Sequence, residues 1–257
     1  MKTVILAGGY GTRIRDVADD IPKPMIPIGP YPILWHIMKT YAHFGYKEFI
    51  VCLGYKGQVI KDFFLNYEAY TRDFSISFGS GKIEYHNSHA ESNWKITLAD
   101  TGIRSMTGSR ISRIRDYVGN EDFMLTYGDG VSDVDISKLV NFHKSHGKIL
   151  TVTSVRPPGR FGEMVGDSEG LVSAFNEKPQ ASGGRISGGF FVASPKLFDY
   201  VSDDESLVFE QEPIHKLVSD KELMMFEHDG FWQPMDTSRE YLLLNSLYEK
   251  GTAPWVK

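Results

Sequence analysis

Cysteine is nearly absent: Cys52 is the only one in 257 residues. A lone thiol permits neither an intrachain disulfide nor a cysteine-built zinc site, and it suits a reducing compartment. Cys52 sits in the apolar run Phe49-Ile50-Val51-Cys52-Leu53, which reads as buried packing rather than as a nucleophile. Long apolar stretches are missing too. No segment reaches the roughly 20 uninterrupted apolar residues that cross a bilayer. Val4-Ile5-Leu6-Ala7 is too short for a signal peptide and runs straight into glycines. A cytoplasmic protein without a membrane partner is therefore expected. Positive charge is not in excess either. The net charge of -5 at pH 7 excludes a typical nucleic-acid backbone binder. It leaves room for a local positive pocket that takes one nucleotide. There is no internal repeat, low-complexity tract or flexible linker. The eight histidines include no H-E-x-x-H pattern, and no zinc site is expected at His86 and His89.

The composition present, 41% apolar and 24% charged, is that of an ordinary globular protein long enough for one large α/β domain. Short β-rich runs at Thr3–Ala7, Glu48–Leu53, Phe123–Thr126 and Ile149–Val155 alternate with helical patterns at Ile33–Phe44, Val59–Tyr70 and Ile136–His146. This alternation predicts a doubly wound, mostly parallel, Rossmann-like sheet. After Arg156 the pattern changes. Pro157-Pro158-Gly159 punctuates the chain, and short alternating segments near 162–165, 171–175 and 188–192 predict a smaller α+β region laid over the end of the sheet. The expected organisation is one domain over 1–257, with regions 1–155 and 156–257.

The stretch Leu6-Ala7-Gly8-Gly9-Tyr10-Gly11-Thr12-Arg13 carries the most chemistry. Glycines after a strand let the backbone turn sharply and offer N–H donors to phosphate oxygens, and Arg13 adds a forked cation. Two familiar motifs do not fit. The dinucleotide fingerprint lacks its last glycine because position 14 is Ile, which disfavours a dehydrogenase, and no lysine follows Gly11 as a P-loop requires. Prolines on both sides of Lys23, in Ile21-Pro22-Lys23-Pro24-Met25, restrict the backbone and suit a fixed point charge against phosphate. Taken alone, Lys23 fits a solvated lysine in a rigid loop equally well. Asp129 follows a strand through Tyr127-Gly128, at the edge where open α/β sheets bind ligands, although an aspartate there also serves as a turn former.

These two stretches resemble the sugar-1-phosphate nucleotidyltransferase family, and within it the glucose-1-phosphate cytidylyltransferases. The likeness extends over the chain through Pro32 to Lys39, Ser105-Met106-Thr107-Gly108 with Arg110, Tyr127-Gly128-Asp129-Gly130, Glu177-Lys178-Pro179, Gly188-Gly189-Phe190-Phe191, Glu210-Gln211-Glu212-Pro213 and Phe231 to Thr237. The resemblance implies that region 1–155 mainly binds the nucleotide. Leu6, Ala7, Gly8, Gly9, Gly11, Thr12 and Arg13 would embrace the triphosphate of CTP, with Lys23 near the reacting phosphorus. Thr107, Gly108 and Arg110 would frame the base. Arg13 and Lys23 are the implied catalytic residues, and Asp129 with Asp236 the implied Mg²⁺ ligands. Region 156–257 would mainly hold glucose 1-phosphate and supply Asp236: Lys178 takes the phosphate and Glu177 the sugar hydroxyls, with Tyr127, Ser187, Gly189 and Glu212 in the same pocket. The resemblance also implies a homo-oligomer, a trimer or hexamer. Ser187 stands where the glucose enzymes usually carry Asn, Phe209 where they tend to have Trp, and Ile21 where they commonly have Lys. Another sugar 1-phosphate, dTTP or UTP as donor, and a non-catalytic nucleotide sensor are the competing expectations.

Overall fold

The computed structural model describes residues 1–11, 14, 20–157, 163–166, 171–176 and 184–257. A seven-stranded sheet organises the described residues. In chain order its strands are β1 (Thr3–Leu6), β2 (Glu48–Leu53), β3 (Lys95–Asp100), β4 (Phe123–Tyr127), β5 (Leu150–Val155), β6 (Ile186–Ala193) and β7 (Leu223–His228). Across the sheet they lie in the order β7-β5-β6-β4-β1-β2-β3. Only β6 runs against the others: it pairs antiparallel with both β5 and β4, whereas the remaining neighbours are parallel. The expected mostly parallel, doubly wound sheet is what forms. The strand-like segment around 188–192, however, is not part of a lobe over the sheet end. It is β6, inserted near the middle, and β7 joins the sheet at its edge. The Gly-Gly-Phe-Phe sequence concealed this, because it reads equally as a short alternating strand and as a buried one.

Successive residues of a strand point to opposite faces, and here both faces are covered. Ile5, Phe49, Val51, Met124, Phe190 and Val192 pack on one side with Ile33, Leu34 and Ile37 of helix α1 (Ile33–His43). On the same side lie Ile136, Leu139 and Val140 of helix α2 (Ile136–His146). Val4, Leu6, Ile50, Cys52, Phe123, Leu125 and Phe191 pack on the other side with Ile111, Phe198, Phe209 and Leu217. This two-sided burial explains why the strands read as near-continuous apolar runs. Cys52 is fully buried, and burial pushes its thiol up to about 12, so it is packing rather than a nucleophile.

Local chemistry sets the helix ends. Asp135 accepts a hydrogen bond from Lys138 N at 3.0 Å to cap α2, and Gly147 ends that helix in the left-handed region at φ 66°. Helix α3 (Ser238–Glu249) opens on a capping box, with Thr237 accepting from Glu240 N while Glu240 accepts from Thr237 N. No helix among the described residues is long and apolar enough to cross a membrane.

Candidate active site

Strand β1 runs directly into the glycine turn. Ala7 N donates to Cys52 O and Tyr55 N donates to Gly8 O, so the turn stays pinned to the end of β2. Gly11 has φ 58°, and a Cβ there would lie 2.9 Å from Cβ of Lys23, so a side chain would be strained and would push on the lysine. Beside the turn opens a cavity of about 390 Å³ lined by Leu6, Ala7, Gly8, Gly9 and Gly11, then Lys23, Thr107, Arg110, Tyr127, Asp129 and Asp236. Ten residues predicted from sequence to touch nucleotide or metal thus share one cavity. Thr12, Arg13, Glu177 and Lys178 lie outside the described residues.

Lys23 sits in a 3-10 turn spanning Lys23–Met25, entered through Pro22, with its side chain 11% exposed. Its Nζ donates to Asp129 Oδ2 at 2.6 Å and to Asp236 Oδ1 at 2.5 Å. Burial opposes the ammonium charge, but the attraction and hydrogen bonds of the two carboxylates override it and raise the pKa above its ordinary value. The convergence of Asp129 and Asp236 comes from backbone pairing. Residues Gly130–Ser132 and Trp232–Pro234 form a two-stranded antiparallel ribbon with Gly130 opposite Pro234. Met235 N donates to Asp129 O at 2.8 Å just beyond it. Glu240 then accepts from Asp236 N at 2.6 Å, so the capping box of α3 also holds the backbone of Asp236. The Thr-x-x-Glu spacing at 237–240 is the local sequence signal of the cap that holds this second carboxylate.

No group of three or more His, Cys, Asp and Glu side chains converges on one point among the described residues. Two carboxylates already gathered around one cation do fit a hard divalent ion that takes its remaining ligands from substrate phosphates. Asp129 and Asp236 are the residues that could hold it.

Arg110 lines the cavity and is also tied into the fold. Its guanidinium donates to Leu53 O, Thr101 Oγ1 and Gly102 O through one nitrogen and to Gly8 O through the other. Buried under the glycine turn, it ties that turn to the ends of β2 and β3. Gly108 donates to Leu207 O and has no room for a Cβ against Leu207, so it joins two segments rather than facing the cavity. Thr107 Oγ1 accepts from Phe209 N at 2.9 Å and donates to Glu210 Oε2 at 2.7 Å. Glu210 also accepts from the Tyr127 hydroxyl. Burial first, and then the neighbouring Glu210 and Asp129, push the Tyr127 phenol upward, so it is a neutral donor at physiological pH. Gly189 is buried against the Tyr127 ring, whereas Ser187 is exposed and its Oγ accepts from Gly189 N. Glu212 is exposed and begins a separate helix, Glu212–Ser219. Ser105 and Met106 of the Ser105-Met106-Thr107-Gly108 motif also line the cavity, with Ile103 and Arg104, which no motif had marked.

A doubly wound sheet binds ligands beyond the carboxyl ends of its strands, and at that edge here lie the glycine turn, Lys23, Asp129 and Asp236. The class is thus a nucleotide-handling α/β enzyme. The chain belongs to the nucleotidyl transferase family, which matches residues 2–251. It is 50% identical over 256 residues to glucose-1-phosphate cytidylyltransferase of Salmonella typhi, covering 99% of this chain and 98% of that one. More distantly, it is 27% identical to mannose-1-phosphate guanyltransferase of Schizosaccharomyces pombe, over 96% of this chain and 64% of the relative. The structure of UDP-glucose pyrophosphorylase complexed with UDP-glucose superposes with a TM-score of 0.68 at 16% identity, over 97% of this chain and 98% of that one, a likeness of fold. At the level of the family, this is a nucleotidyltransferase acting on a sugar 1-phosphate.

Proposed function

We propose that this enzyme transfers CMP from CTP to α-D-glucose 1-phosphate, with Mg²⁺, and releases CDP-glucose and pyrophosphate. The observation that carries the reading is Lys23 held between Asp129 and Asp236 beside the glycine turn. The full-length identity to the Salmonella typhi cytidylyltransferase supports the choice of CTP and glucose 1-phosphate.

A phosphate oxygen of the sugar 1-phosphate attacks the α-phosphorus of CTP in line. The bond from that phosphorus to the bridging oxygen breaks, and its electron pair leaves with pyrophosphate. The nucleophile is already an anion at neutral pH, so no general base is needed, and rate comes from alignment and charge neutralisation. Backbone N–H groups of the glycine turn and Arg13 hold the triphosphate. Lys23 places a positive charge beside the reacting phosphorus. Thr107 shapes the nucleotide side, while Lys178 and Glu177 orient the sugar phosphate, with Tyr127, Ser187 and Gly189 completing that side. Mg²⁺ on Asp129 and Asp236 supplies neutralisation of the phosphate charges. In this reading residues 1–155 mainly serve the nucleotide and 156–257 the sugar phosphate. The setting is the cytoplasm, and the active form is a homo-oligomer, a trimer or hexamer.

Ser187 favours keeping a second reading, another sugar 1-phosphate, because its exposed hydroxyl is shorter than the usual amide and offers one donor fewer. Phe209 carries less weight, being fully buried against Phe191 rather than placed on the cavity. Pyrophosphate release tests both readings, crossing CTP, UTP, dTTP, ATP and GTP with a set of sugar 1-phosphates. Release with CTP and glucose 1-phosphate above all other pairs is the expected result. A stronger signal with another sugar transfers the assignment to it, and none with any pair in folded protein leaves only the nucleotide-sensor alternative.

A further inference from the structure

One carboxylate bridges the two sides of the proposed site. Glu210 accepts from Thr107 Oγ1 at 2.7 Å through one oxygen and from the Tyr127 hydroxyl through the other. Thr107 lines the cavity next to Met106 and Ser105, and Tyr127 lines it two residues before Asp129. The segment carrying Glu210 is itself well held. Met106 N donates to Glu205 O, Gly108 N to Leu207 O and Phe209 N to Thr107 Oγ1, and the Phe209 ring is fully buried. Tyr127 has little freedom either. Gly189 has φ 77° and lies so close that a Cβ there would sit 2.5 Å from the ring, and Phe191 packs edge-on to the same ring.

An ionised carboxylate only accepts, and a phenol has a single proton. With that proton given to Glu210, the Tyr127 hydroxyl has lone pairs left and nothing to donate. A phosphate oxygen cannot hydrogen-bond there and meets a nearby carboxylate. A hydroxyl donor can. We propose that Glu210 is a positioning residue that fixes the Tyr127 hydroxyl as an acceptor, so that this corner of the cavity takes a hydroxyl of the sugar and turns the phosphate toward Lys23. The proposal rests on the sugar 1-phosphate reading above and adds to it a residue that sets the polarity of the sugar side.

Glu210→Gln separates polarity from shape. The amide keeps the length of the side chain but has one accepting oxygen and one donating nitrogen. Thr107 already accepts from Phe209 N, so it keeps both its bonds by continuing to donate to the amide oxygen. The amide nitrogen then faces Tyr127, whose hydroxyl must accept and is left with its proton free. The test measures kcat/KM with CTP for glucose 1-phosphate and for its 2-, 3-, 4- and 6-deoxy analogues, in wild type, Glu210→Gln, Tyr127→Phe and the double variant. Wild type is expected to discriminate against one analogue by about tenfold or more, the worth of one good hydrogen bond. Glu210→Gln and Tyr127→Phe should both lose that discrimination, and the double variant should lose no more than either alone. A merely structural role for Glu210 would lower activity with all five sugars in proportion and leave the ratios intact, and that result overturns the proposal. Retained discrimination in Tyr127→Phe overturns it as well. If wild type itself releases no pyrophosphate with any sugar 1-phosphate, the underlying reading fails and the proposal goes with it.

Discussion

Two charged clusters line two cavities of this molecule, and they are built on opposite principles. The first gathers Lys23, Asp129 and Asp236 at the carboxyl edge of the sheet, from positions 106 and 213 residues apart, beside about 390 Å³ of open space. The second, beside about 290 Å³ next to α1, links Lys39, Glu91, His89, Glu68 and Arg72 in a chain of contacts. There Glu91 binds Lys39 through one oxygen and Tyr67 and His89 through the other, while the second nitrogen of His89 faces Glu68. The stacked pair of Tyr31 and Trp35 closes the wall, with Lys39 over the Trp35 ring. The side-chain polar atoms of Glu91 and His89 are matched from within the protein. That cluster fastens the loop around 86–94 to α1, its Lys39–Glu91 and Glu68–Arg72 charges paired with one another. The first cluster adjoins a turn of backbone donors, in a place where phosphate and a cation can enter. A charged cluster signals function by what it faces, and its own strength is a poor guide.

Breaking each cluster should therefore change a different quantity. The largest effect belongs to the first. Lys23→Ala and Asp129→Ala are expected to lower kcat by about a hundredfold or more, on the scale of losing one electrostatic contact made in the transition state. Their circular dichroism should stay near wild type, so that the loss of turnover is not a loss of fold. Near-normal turnover at saturating CTP and glucose 1-phosphate in either variant would remove that residue from the mechanism.

Next in size is Glu91→Ala, which leaves Lys39 and His89 without their central partner. Lys39 is about a third exposed, which moderates the loss to about 2–3 kcal/mol, below the range for a fully buried broken pair. Urea denaturation measures it. The comparison predicts that kcat changes by less than about twofold, since none of this cluster's residues lines the cavity beside Lys23.

Thr237→Ala joins the two arguments, because the capping box holds α3 and the backbone of Asp236 at once. Loss of the cap should cost about 1 kcal/mol. A larger relative fall in kcat than in stability, read from parallel melting and pyrophosphate assays, would show that the cap also positions the carboxylate. Equal small changes would confine it to the helix.

The smallest effect is a pH dependence. Burial lowers the pKa of His36, which is hydrogen-bonded to Ile28 O, and burial likewise lowers those of His143 and His146. Each is held neutral in the fold, whereas in the unfolded chain it gains a proton near pH 6.5. Stability from these groups is complete above that pH and is lost as the pH falls from it through their lower folded values. The melting temperature should decline below about pH 6.5, and His36→Gln should flatten part of the slope. An unchanged slope would remove His36 as a source.

Some of this was legible without coordinates. Wherever a pattern depends only on neighbours along the chain, the sequence sufficed. Helix Ile136–His146 and strand Glu48–Leu53 appear at the bounds that periodicity assigned them. The glycine turn, the proline-framed Lys23 and the strand-end Asp129 were visible as local chemistry, because turn formers and short-range restriction act within a few residues. The family likeness, carried by motifs in a fixed order, extended that reading to Asp236. What remained hidden was every relation fixed by pairing between distant segments. The insertion of β6 between β5 and β4 rests on antiparallel pairing with two distant strands, a choice its own residues do not express. Arg110, expected to frame the base, lines the cavity and is also a brace, because its partners include carbonyls of the ends of three segments that only the fold brings together. Glu210 stood in a recognised motif without a role until Thr107 and Tyr127 were seen to share it. The sequence alone determined the class of fold and the residue types that meet phosphate. The tertiary structure decided which side chains face the cavity and which are consumed in holding it, since a hydrogen-bonding group is free for a ligand only where the rest of the protein leaves it unsatisfied.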